Sequence, residues 1–131
     1  MLFGMTEFDE LKQEYESGKL DKIKGDLESF IKQRDLEIKR FSAKLNIPID
    51  VGLRWYVILS KTVNTANENL DQIAEMKKEI WYRREEGAKR PTEEIVKEWI
   101  IKHSDGWRSH RTMQVIYVYM QDRERYLSLL K

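Results

Sequence analysis

The residues best suited to chemistry gather between positions 81 and 111. This stretch holds three of the four tryptophans, Trp81, Trp99 and Trp107, and both histidines, His103 and His110. Arg83, Arg84, Lys89, Arg90, Arg108 and Arg111 supply its positive charge. A metal reading would join His103, Asp105 and His110 across the Ser104–Gly106 segment. That spacing matches no zinc pattern, and the chain has no cysteine to complete a tetrahedral site. A di-iron bundle centre needs Glu three residues before each His, where this chain has Ile100 and Trp107. Ser104 beside His103 and Asp105 imitates a triad only on paper, since real triads assemble from distant segments. The glycines are scattered, so no phosphate-cradling loop is written. The expectation is a protein that is not an enzyme and needs no metal or cofactor.

Aromatic, Met and Arg side chains dominate interface hot spots. The aromatic and arginine content of the C-terminal half therefore points to binding of a protein partner, or to self-association. The expected binding residues are Arg83, Arg84, Lys89, Arg90, Trp107, Arg108, His110 and Arg111. The alternative is nucleic-acid binding. Ser104, Asp105 and Gly106 read as a turn between two helices, so residues 92–125 resemble a helix-turn-helix unit. Its second helix would present Trp107, Arg108, His110, Arg111 and Gln114 near its start, where such helices meet base edges. Against this, Glu79, Glu85, Glu86, Glu93, Glu94 and Glu98 dilute the positive charge, and duplex affinity needs several phosphate contacts.

The elements that position these residues follow from composition and spacing. The chain has 131 residues, 36% of them charged, against ~25% in an average globular protein. With six glycines and two prolines, it is too poor in turn residues for a sandwich or barrel. The composition predicts an all-α fold: one compact helical bundle, with helices at about 6–17, 20–45, 50–86, 92–103 and 107–130. Thr6 caps the first, with Glu7, Asp9 and Glu10 in its first turn. Leu20, Ile23, Leu27, Phe30, Ile38, Phe41 and Leu45 give the second its stripe, interrupted by Arg34 and ended by Asn46 and Pro48. The last carries Met113, Ile116, Tyr117, Met120, Leu127 and Leu130.

The longest pattern runs through Tyr56, Leu59, Val63, Ala66, Leu70, Ile73, Lys77 and Ile80 in steps of three and four. Its flanks, among them Asn67, Asn69, Ala74 and Met76, lack the charges that set pairing in an exposed two-stranded coil. The stripe is therefore expected to be buried within the bundle, in a long antiparallel pair with the 20–45 helix. Residues 53–59 and 115–120 favour strands by composition, but lie inside longer helical patterns. The N-terminus has neither the charged start nor the long apolar run of a signal peptide, and no window approaches a membrane span. A cytoplasmic protein without membrane attachment is expected.

Overall fold

The computed structural model describes residues 6–85, 87 and 92–131, and among them the fold is all-α. Seven helices follow in order: α1 Glu7–Glu16, α2 Asp21–Gln33, α3 Asp35–Leu45, α4 Ile49–Ser60, α5 Thr65–Glu85, α6 Thr92–Gln121 and α7 Arg123–Ser128. They form two compact units. One takes the chain up to Val63 together with Arg111–Lys131, and the other spans Asn64–His110.

Three boundaries differ from those expected, each for a local reason. The helix expected over 20–45 breaks at Arg34, where the stripe had its polar gap. Arg34 leaves helical geometry (φ −121°, ψ 22°), and its guanidinium covers the Phe30 ring at 4.7 Å. Asp35 and Glu37 then open α3 with charges that favour a helix start. The helix expected over 50–86 breaks at 61–64. Lys61 takes φ +68° after α4. Asn64 then caps α5, its side-chain oxygen accepting the Asn67 N–H at 3.0 Å while its carbonyl accepts the Glu68 N–H.

The third difference removes the helix-turn-helix unit. Ser104, Asp105 and Gly106 are helical, and α6 runs through them from Thr92 to Gln121. A single glycine lowers helix propensity by about 1 kcal/mol, which the rest of a long helix outweighs. The break comes instead at Asp122 (φ −139°), ahead of α7. Of the stripe expected here, Tyr117 and Leu130 are buried and Ile116 and Leu127 pack half-buried against the core. Val115, Tyr117, Val118, Tyr119, Tyr126 and Leu130 are buried, whereas Met113 and Met120 are exposed. The two strand-prone runs, 53–59 and 115–120, are helical.

The first unit holds the main core. Leu20, Ile23, Leu27, Phe30 and Ile38 are buried as expected, joined by Leu11, Ile31, Leu53 and Val57. Thr6 and Asp9 form the capping box of α1. Tyr117 takes Phe8 and Tyr15 edge-on, and Gln114 donates to Glu14 at 2.6 Å, fastening α1 to the end of α6. Asn46, in left-handed geometry, ends α3. α4 then returns so closely that a Cβ on Gly52 would lie 1.7 Å from Ser42 Oγ. Ser42 is itself buried, its hydroxyl donating to the Ile38 carbonyl.

Polar anchors surround this core. Tyr119 donates to Asp50, which also faces Arg54 at 3.5 Å and Arg123 at 3.8 Å. Burial first, then the hydrogen bond to Asp50, pushes the Tyr119 hydroxyl well above the ordinary tyrosine range. Tyr56 donates to Glu37. Arg125 pairs with Glu28 at 3.1 Å and ties α7 to α2.

Candidate functional site

The second unit is built from α5 and the part of α6 up to His110. In an ordinary amphipathic helix the apolar stripe faces inward and the charges face water. α5 reverses this arrangement. Glu68 and Gln72 are buried, at 5% and 7% exposure, and Glu79 and Arg83 follow along the same face, half-buried. On the opposite face Ala66, Leu70, Ile73, Lys77, Trp81 and Arg84 recur at steps of four, three, four, four and three, and all are exposed. Leu70 is 60% exposed and Trp81 58%. Ala66, Leu70, Ile73 and Lys77 of the stripe expected in the bundle interior are thus turned outward, a correction to the sequence reading, while Ile80, its last member, is half-buried.

The inward face is held by charge. Arg83 donates to Glu79 at 2.9 Å and to Glu98 of α6 at 3.3 Å, and Lys102 reaches Glu98 at 2.6 Å. The hydrogen bond to Glu79, followed by the charge of Glu98, raises the Arg83 pKa above its ordinary value. Arg83 therefore joins the helices of this unit rather than standing ready for a ligand. The Glu68 carboxylate sits near the start of α5, where the helix dipole favours negative charge, with Oε1 buried and lacking a hydrogen-bond partner among the described residues. Among the described residues of the unit Ile95 and Trp99 are the buried apolar ones, and Trp99 rests against the His103 ring. Ile100 and Ile101 are exposed, the latter at 84%. Trp81 and Tyr82 meet edge-on at 5.2 Å, both largely open to solvent.

The expected binding residues that the structure describes do not share one helix face. Arg84 lies on the outward face of α5, while Arg83 lies on the inward one. Trp107 and His110 are half-buried and Arg108 is exposed on α6. At 1.5 Å per residue they stand roughly 14–18 Å further along the helix than Glu98, which Arg83 reaches. Arg111 is half-buried at the start of the part of α6 that belongs to the first unit. Lys89 and Arg90 lie outside the described residues. His103 and His110, two turns apart on one continuous helix, are separated by about 10 Å along its axis and cannot share a ligand.

Sequence reasoning found the heptad but missed its orientation, and so missed Leu70, Ile73 and Ile101 as surface residues. A signal was present in the opposite face: Glu68, Gln72, Glu79 and Arg83 share one side of the helix and include the carboxylate that pairs with Arg83. Among the described residues no helix is long and apolar enough to cross a membrane, and no group of three or more His, Asp or Glu side chains could hold a metal ion. Comparison with protein-family models, curated proteins and solved structures finds no match to this chain.

Proposed function

We propose that this chain is a non-enzymatic docking protein and that the outward face of α5 is its contact surface. The reading shifts the expected protein-binding region from the arginine cluster to the stripe Ala66, Leu70, Ile73, Lys77, Trp81 and Arg84. The observation that carries it is the reversal of α5: a helix that buries Glu68 and Gln72 while exposing Leu70, Ile73 and Trp81. Exposed apolar groups scattered singly are ordinary, but a row at helical spacing with a tryptophan marks an interaction surface. An amphipathic surface read at i, i+3, i+4 and i+7 suits another helix.

The test is site-specific photo-crosslinking. A photoreactive residue in place of Ile73 is expected to give discrete protein adducts in the cells that make the chain, and one in place of Lys44 on α3 to give none. Absence of adducts from position 73, or an equal pattern from both positions, overturns the proposal.

A further inference from the structure

We infer that the occupant of the α5 face is a second copy of this chain, with α5 packed antiparallel to α5 about a two-fold axis near Ala74. The inference rests on the docking reading above and adds the partner's identity and orientation. Its first support is the charge pattern along α5. From Thr65 to Glu75 the charged residues not buried inward are Asp71 and Glu75, with no cation. From Met76 to Glu85 they are Lys77, Lys78 and Arg84 against Glu85, since Glu79 and Arg83 pair on the inward face. Antiparallel pairing lays the acidic half of each helix over the basic half of the other, whereas parallel pairing stacks like on like. Isologous contacts of this kind are the commonest way for a soluble chain to self-assemble, because one self-complementary patch serves both copies.

The positions on the face fit the same arrangement. Asp71, half-buried, and Lys78, exposed, are seven residues apart on one side of α5, just beyond the uncharged positions that border the stripe, and a two-fold axis perpendicular to the helices brings like sides together. With the axis between Ala74 and Glu75, Asp71 of each copy lies level with Lys78 of the other. Lys77 is the charge that breaks the apolar stripe. It then sits beside Ile73 of the second copy, with Asp71 and Glu75 of that copy within reach of its long stem. Ala66 and Ala74 are exposed and small, which lets the two helices approach closely, and Leu70 and Trp81 fill the space on either side.

The build of the second unit supplies an independent reason. A unit this short is close to the size at which apolar burial becomes marginal, and oligomerisation is one of the usual remedies. Among its described residues only Ile95 and Trp99 are buried apolar side chains, while Leu70, Ile73, Trp81, Ile100 and Ile101 remain outside. The chain has no cysteine with which to staple it. A second α5 covers the largest of the stripe residues at once.

The experiment is sedimentation of the full chain from low to high micromolar concentration, with cysteine cross-linking to report orientation. A dimer is expected. The double variant Leu70→Gln, Ile73→Gln is expected to be monomeric over that range with its helical circular dichroism intact. The native chain lacks cysteine, so Ala74→Cys should oxidise to a covalent dimer and Ala66→Cys should not. A second pair of variants tests the charges. Lys77→Glu with Lys78→Glu, and Asp71→Lys with Glu75→Lys, should each dissociate at least tenfold more readily than the native chain and recover affinity when mixed. A native chain that stays monomeric throughout overturns the second copy as occupant but leaves the docking surface standing. Covalent dimers from Ala66→Cys overturn the antiparallel orientation. Loss of helical structure in the Leu70→Gln, Ile73→Gln variant overturns the docking reading itself, since it places the stripe in the fold's own core.

Discussion

Glu68 and Leu70 stand two residues apart on α5 and point to opposite environments: the carboxylate is 5% exposed and the leucine 60%. Transfer of a charged group out of water is costly and transfer of an apolar one is favourable, so the pair is oriented against both preferences. Such an arrangement needs compensation on both sides. For Glu68 part of it is at hand in the α5 N-terminus. For Leu70 the described residues leave 60% of its surface exposed, and that imbalance sets the outward face apart from the rest of α5.

The first prediction separates stripe from core. Leu70→Ala or Ile73→Ala should change the stability of the monomeric chain by no more than about 0.5 kcal/mol, as is usual for exposed positions. Leu27→Ala, at a fully buried position in α2, should cost about 2–5 kcal/mol. Urea denaturation at a concentration where the chain is monomeric measures all three. A Leu70→Ala loss comparable to that of Leu27→Ala would return the stripe to the interior.

Gly106 tests the continuity of α6. A Cβ there would meet nothing within 4 Å, and the residue is helical. Gly106→Ala should therefore stabilise by about 0.5–1 kcal/mol through helix propensity and reduced freedom of the unfolded chain. Gly25, inside α2 and equally unobstructed, should respond alike. Thermal melts of the two single variants and their combination suffice. A destabilised Gly106→Ala would restore the turn that the Ser104–Gly106 composition suggests.

Gly52 carries the opposite expectation. Its added Cβ would fall 1.7 Å from Ser42 Oγ and 2.7 Å from Ser42 Cβ, which no rotamer change of Ser42 relieves entirely. Gly52→Ala should destabilise by about 1–3 kcal/mol as α3 and α4 are pushed apart. Ser42→Gly removes both obstructing atoms, so the double variant should lose less than the sum of the singles. A double-mutant cycle measures that coupling, and strict additivity would contradict the close approach.

These residues also show how far the fold could be read in advance. The class, the capped start at Thr6 and the buried series Leu20, Ile23, Leu27, Phe30 and Ile38 were legible because periodicity and caps are local properties. Arg34 was visible as a flaw in the stripe, but whether a flaw becomes a break depends on what covers Phe30, which is tertiary. Asn64 is a capping residue, yet the heptad running across it looked continuous, and periodicity alone favoured one long helix. Ser104, Asp105 and Gly106 carry the composition of a turn, which the long helix around them overrides. The orientation of α5 was least legible. A hydrophobic stripe specifies that something must cover it and is silent on whether the cover comes from the same chain. The arginines drew attention by type, whereas Arg83 is engaged by Glu79 and Glu98.

The last prediction concerns alkaline pH. Burial and the Asp50 hydrogen bond hold the Tyr119 hydroxyl protonated in the fold well past the point at which it ionises in the unfolded chain, near 10. Above that point the unfolded state has released a proton that the folded state keeps, so the stability of the fold must fall as pH rises. The contribution is complete below about pH 10 and is withdrawn progressively above it. Tyr126, also raised by burial, adds to the same slope. Tyr119→Phe removes the ionising group together with its bond to Asp50. It should lower stability at neutral pH by roughly 1–3 kcal/mol, because Asp50 loses a donor in a largely buried setting. The same variant should flatten the decline above pH 10, so that the native and variant curves converge as pH rises. Urea midpoints from pH 7 to pH 11 measure this, and parallel curves would show that Tyr119 ionises in the fold as it does in water.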